Sequence, residues 1–189
     1  MAVRKIIRMG HPNLRRPARA VLPQEIGSDE MHRIVSDMID TLHDYGGIGL
    51  AAPQINESIR LAIVELPGGS SRYGELDPVP LTICINPEIK VLDKTPAGSW
   101  EGCLSVPGLR GFVMRPQFIR VNFLDLAGEK REMEAKGFVA TVFQHEFDHL
   151  DGRLYVDLID NRSNLMFEEE YLRYVLPQEK EPTSVSPQK

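Results

Sequence analysis

The sequence predicts an α+β fold: a single domain of mostly antiparallel sheet packed around a central helix that carries a His-Glu-x-x-His motif. Three observations lead there. The chain has 189 residues, 42% of them hydrophobic, which suffices for one good core. Six short segments read as strands, at 60–66, 81–85, 89–92, 112–114, 118–124 and 130–133. Two other segments keep helical period, at 28–42 and 138–150.

The first helix starts at Ser28, a good N-cap, with Asp29 and Glu30 where the helix dipole favours negative charge. Met31, Ile34, Val35, Met38, Ile39 and Leu42 then form one apolar face, which is expected to lie on a sheet. Gly46 and Gly47 end the helix and open the loop Gly46-Gly47-Ile48-Gly49-Leu50-Ala51-Ala52-Pro53-Gln54. Its glycines let the backbone approach a ligand closely. Pro53 biases Ala52 toward an extended conformation, and Gln54 would present an amide donor to a developing oxyanion. Taken alone, the loop is more simply a glycine-rich connector. Residues 67–80 read as a polar loop with three glycines and three prolines. A last helix is expected at 165–176, before the polar, proline-bearing tail 177–189, whose composition is that of solvated chain. This gives a catalytic domain over 1–176 and a tail over 177–189.

The helix at 138–150 contains neither Pro nor Gly, and Gly152 supplies its stop signal. Phe138, Val142, His145 and His149 fall on one stripe; Val139, Phe143, Glu146 and Leu150 fall on the next. The two histidines therefore continue an apolar face. Buried imidazoles need partners, and one metal ion would satisfy both, with Glu146 beside them as a base. A pair of core histidines bonded to carbonyls is the plainer alternative. A catalytic metal takes a third protein ligand and keeps one open position. A third histidine at the metzincin spacing is missing, because Tyr155 stands there. Glu169, in the run Glu168-Glu169-Glu170, would serve as in thermolysin, and Cys103 would give a Cys-His-His site. Cys84 lies in an apolar run and reads as a small core hydrophobe; a Cys84–Cys103 disulfide is the competing reading.

Three segments, GIGLAAPQ at 47–54, EGCLS at 101–105 and QHEFDHLDG at 144–152, together resemble the peptide deformylase family, in order and at suitable separations. The resemblance spans roughly residues 1–160 and takes the bacterial and organellar form of the EGCLS motif. It implies removal of the N-formyl group from formyl-methionine at the start of newly made chains, with release of formate. It also implies that Cys103, His145 and His149 bind one divalent metal. Ferrous iron is favoured in cells, with zinc, nickel or cobalt possible in isolated protein. By the same resemblance Glu146 is the general acid and base, and Gln54 and the Leu104 N–H stabilise the oxyanion. Gly49 would bond the substrate backbone, and Ile48 would line the methionine pocket. In some family members a C-terminal helix docks on the ribosome. Here that segment carries Glu168, Glu169, Glu170 and Glu179 against Arg173 and Lys180, a departure that does not suit contact with RNA.

The remaining features narrow the class. A formal charge of −5 argues against direct nucleic-acid binding. The basic N-terminus lacks the apolar stretch of a signal peptide, and no run reaches transmembrane length, so a cytoplasmic protein without membrane contact is expected. The partners expected are nascent polypeptide N-termini, with transient ribosome contact the further candidate. Two other functions use the same residues: a thermolysin-like endopeptidase built on His145, His149 and Glu169, and a non-catalytic metal-binding module with no open coordination position.

Overall fold

The computed structural model describes residues 2–71, 74–76 and 78–177. Helix α1 is Asp29–Asp44, and the Met31 N–H donates to Ser28 Oγ at 3.2 Å, the cap the sequence predicts. Met31, Ile34, Val35, Met38 and Leu42 are buried on its inner face; Ile39 is half-buried at the edge. Strand β1, Gly49–Ala51, pairs antiparallel with β2, Leu61–Leu66. The expected loop 67–80 instead contains a small hairpin, β3 (Gly69–Ser71) with β4 (Gly74–Leu76).

The four central strand segments are two long strands. The segments at 81–85 and 89–92 belong to β5, Val79–Cys103, and those at 112–114 and 118–124 belong to β6, Val106–Leu124. Leu104 and Ser105 turn one into the other, and pairing runs from Ile85 opposite Leu124 to Cys103 opposite Val106. Register shifts between Ile85 and Glu88, around Asp93 and between Glu101 and Cys103 break the ladder. Such irregularities bend a strand pair and raise its twist. Strand β7, Lys130–Lys136, leads into α2, Gly137–Leu150. The helix expected at 165–176 starts later: Leu165–Phe167 form β8, paired with Leu109–Gly111 of β6, and residues 168–177 are helical. Of the expected tail, residues 178–189 lie outside the described residues.

The main sheet runs β1-β2-β5-β6-β7, with β8 added on β6 and every neighbouring pair antiparallel. Side chains alternate across a strand. Leu50, Leu61, Ile63 and Ile85 accordingly join α1 in one core cluster. Their neighbours Ala51, Ala62, Val64 and Cys84 join Ala140, Val142, Phe143, Phe147 and Leu150 of α2 in another. The sheet thus separates the two helices, and α2 is buried along most of its length, as a central helix must be.

Candidate metal centre and active site

Three pieces of chain meet at the centre. Helix α2 supplies His145 and His149, one turn apart with ring centroids 5.1 Å from each other. The end of β5 supplies Cys103. One ligand atom from each of these residues lies within 4.8 Å of the others, and Cys103 Sγ is 3.3 Å from His149 Nε2. Among the described residues this is the one His, Cys, Asp and Glu group that could hold a metal ion. The donor set is right for such an ion: one thiol and two imidazoles suit zinc and the later first-row divalent metals. The rival third ligand, Glu169, is exposed and outside this group. Cys84 and Cys103 are both free, so there is no disulfide.

A buried ionic chain aims His145. Its Nδ1–H donates to Glu101 Oε2 at 2.8 Å, leaving the other ring nitrogen for the thiol side. Arg115 donates to Glu101 through Nε at 2.5 Å and Nη2 at 3.0 Å, and to Asp148 through Nη1 at 2.8 Å. Arg115, Glu101 and Asp148 are all buried. Burial opposes the charge on Glu101, yet the bonds from His145 and Arg115 hold its carboxyl below the ordinary value. Burial also opposes protonation of His145, but Cys103 and Glu101 outweigh it and raise the imidazole pKa well above normal. At His149 burial dominates and the pKa falls well below normal, which favours the neutral ring a metal requires. Its Nδ1 is buried without a hydrogen-bond partner among the described residues.

Glu146 faces the other way, toward β1. A Cβ on Gly49 would sit 2.5 Å from Glu146 Oε1, so only glycine lets the strand pass so close. Burial pushes the Glu146 carboxyl up to about 7. A carboxyl poised there exchanges protons at neutral pH. Gln54 sits in the 3-10 turn Ala52–Ile55. Its Oε1 accepts the Ala51 N–H at 2.8 Å, while Nε2 donates to Ser105 Oγ at 3.3 Å and faces Cys103 Sγ at 3.6 Å.

These groups line a cleft of about 600 Å³. Ile48, Gly49, Gln54, Cys103, Leu104, His145 and Glu146 are all in its wall, and buried His149 lies behind Cys103. The residues to which the resemblance gives site roles therefore lie together, whereas Glu169 lies outside the group and Cys84 packs in the core. Sequence reasoning passed over Glu101, although it sits in the EGCLS segment. Arg115 carried no local signal, falling between the strands expected at 112–114 and 118–124. Asp148 is buried and paired to Arg115 at 2.8 Å and to Arg153 at 2.7 Å. Tyr155 fills the position of a metzincin's third histidine and stacks on His145, with centroids 6.0 Å apart.

A sequence profile of the polypeptide deformylase family matches residues 3–164. Peptide deformylase 2 of Pseudomonas syringae pv. tomato is 46% identical over 165 residues, covering 87% of this chain and 92% of the relative. A crystal structure of the class I type b peptide deformylase from Acinetobacter baumannii with Met-Ala-Ser bound superposes with a TM-score of 0.74. It is 34% identical and covers 83% of this chain and 99% of that one. The peptide deformylase of Thermotoga maritima gives a TM-score of 0.73 at 35% identity, over 85% of this chain and all of its own.

Two outcomes test this geometry. Cys103→Ala should abolish tight metal binding and Glu169→Ala should leave it intact, read as metal content by mass spectrometry; the reverse would move the third ligand to the acidic run. Arg115→Met should strand two buried carboxylates and lower unfolding stability by about 3–5 kcal/mol in denaturant titration. Supporting partners of metal-bound histidines are typically worth about 10–100-fold in metal affinity, so zinc binding should weaken too. Unchanged stability and affinity would mean that the ionic chain does not orient His145.

Proposed function

The chain belongs to the peptide deformylase family and removes the N-formyl group from N-terminal formyl-methionine, and we propose that Cys103, His145 and His149 hold the divalent ion on which the family depends. The observation that carries this reading is the convergence of those three ligand atoms within 4.8 Å beside the buried carboxyl of Glu146. We take the ion to be ferrous iron in cells, with zinc, nickel or cobalt accepted by the same ligands after isolation.

When bound, a divalent ion supplies Lewis acidity and makes hydroxide available near neutral pH. Glu146 takes the proton from the attacking water and later delivers it to the departing amine, giving formate and a free N-terminus. Its value near 7 suits both halves of that task. Gln54 Nε2 and the Leu104 N–H donate to the oxyanion that forms at the formyl oxygen; one such donor is typically worth about 3–4 kcal/mol of barrier. Gly49 bonds the peptide backbone, and Ile48 with Val142 gives the methionine side chain an apolar wall. The Acinetobacter enzyme binds Met-Ala-Ser, and a formyl peptide of that kind is the substrate proposed for this cleft.

The natural partner is the N-terminus of a nascent polypeptide, and cytoplasm is the compartment proposed. Among the described residues no helix is long and apolar enough to cross a membrane. The acidic run 168–170 weighs against a ribosomal RNA contact through this segment.

Selectivity tests the substrate. A methyl on the reacting carbon would have to fit beside a wall with no room even for a Cβ on Gly49 next to Glu146. Overpacking costs about 1–3 kcal/mol, and a misplacement of about 1 Å costs on the order of 100-fold. Formyl-Met-Ala-Ser should be hydrolysed at least ~100-fold more efficiently than acetyl-Met-Ala-Ser. Comparable kcat/KM values would make the enzyme a general amidohydrolase. In the same assay Glu146→Gln should keep its metal and lose roughly 10²–10⁴-fold in kcat, because an amide cannot carry the proton. A loss under about tenfold would assign proton transfer to another group.

A further inference from the structure

The family profile ends at residue 164, but the wall of the cleft does not. Glu168 lines it, together with Arg110 and Trp100. Three contacts tie the segment from Leu165 to Tyr171 to the hairpin that carries Cys103. First, Glu168 Oε1 accepts from Arg110 Nε at 3.1 Å and from Nη2 of the same guanidinium. That guanidinium lies across Gly102, the residue between Glu101 and Cys103: a Cβ there would be 2.0 Å from Arg110 Nη1. Second, the buried Tyr171 ring packs on Trp100 with centroids 5.3 Å apart, and Trp100 also packs on Phe112 at 5.6 Å. Trp100 directly precedes Glu101, the carboxylate that orients His145. Third, Leu165 and Met166 pair with Gly111 and Arg110. A Cβ on Gly111 would be 2.8 Å from Tyr155, the ring stacked on His145.

We propose that Glu168 is a positioning residue for the metal site: it holds Arg110 across Gly102 and, with Tyr171 on Trp100, fixes the arm that presents Glu101 and Cys103. Arg110 has only 11% of its side chain exposed, whereas Glu168 has 35%. The carboxylate is thus the partner that fixes the guanidinium from the cleft mouth. Without it the guanidinium has reason to turn to water, and the backbone on either side of Gly102 loses its lid. The segment matters through Arg110 and Trp100 rather than by touching the metal ligands itself.

The inference rests on Cys103, His145 and His149 being the metal ligands, and the test separates the two. The full chain is loaded with zinc, and its release to a chromogenic chelator is timed for wild type, Glu168→Ala, Glu168→Gln and Glu169→Ala. Supporting residues around metal ligands act at the level of about 10–100-fold, so Glu168→Ala should release zinc about tenfold faster or more. Glu168→Gln, which keeps an oxygen for Arg110, should fall between it and wild type, and Glu169→Ala should match wild type. With formyl-Met-Ala-Ser the loss in Glu168→Ala should appear in kcat. Trp100 is the chain's single tryptophan, so Tyr171→Leu should shift its fluorescence and speed zinc release as well. Zinc release within twofold of wild type in both Glu168→Ala and Tyr171→Leu, or a change in KM alone, would overturn the proposal while leaving the metal site standing. A wild-type chain that binds no zinc would overturn the metal site, and this inference with it.

Discussion

The structure depends on one buried cation. Arg115 sits between Glu101 at the end of β5 and Asp148 on α2, and Glu101 in turn accepts from His145. Burying three charges is costly, and the cost is met only when every oxygen and N–H has a partner. Here Glu101 uses both oxygens, one on Arg115 and one shared by Arg115 and His145. Asp148 uses one on Arg115 and the other on Arg153. The chain of bonds crosslinks two strands and a helix that hydrophobic packing alone would leave free to slide by fractions of an ångström. A metal site cannot tolerate that slack, because ligand direction is as important as ligand identity.

The sheet makes the crosslink possible by using both faces. Alternation along β1 and β2 gives α1 one side and α2 the other. Because α2 is covered on the sheet side, its two histidines cannot be solvated there, and the end of the long hairpin delivers the thiol from the opposite direction. Cys103 is where β5 ends, next to a two-residue turn, so its side chain can approach α2 without a further strand intervening. Cys84, near the start of the same β5, shows the contrast: burial raises its thiol pKa, and it is simply part of the core.

Most of the site was legible because its residues come in local patterns. His145, Glu146 and His149 follow helical spacing, and Ser28 with the apolar face of α1 follows the same rule. Cys103 and Gln54 were legible through their neighbours, in segments that resemble known motifs. What was not legible is long-range. Arg115 has no pattern around it that announces a partner on α2. The prolines at 87 and 116 made two long strands look like four short ones, although Pro116 pairs opposite Pro96 and the ladder resumes at Glu88 beyond Pro87. Leu165–Phe167 read as helix because their propensity allows it, but the open edge of β6 at Leu109–Gly111 offered hydrogen bonds that a helix start could not match. Strand β1 was hidden for a similar reason: three residues in a glycine-rich stretch become a strand only when β2 lies beside them.

That hidden strand does two things for the chemistry. At Gly49 it leaves out the Cβ that would displace Glu146, so the carboxyl can sit in a dry place and be held near a neutral pKa. At Ala51 its N–H is donated to Gln54 Oε1. An amide has an acceptor end and a donor end, and a backbone N–H can bind only the acceptor. Fixing Oε1 therefore fixes Nε2 toward Ser105 and Cys103, on the side where the oxyanion is proposed to form. A donor oriented before the substrate arrives costs no reorganisation when charge develops. The proposed proton carrier, Glu146, and the proposed oxyanion donor, Gln54, are thus both set by the backbone of three residues, and a substitution at Gly49 would disturb both at once: its Cβ would push Glu146, and any retreat of β1 would carry Ala51 away from Gln54.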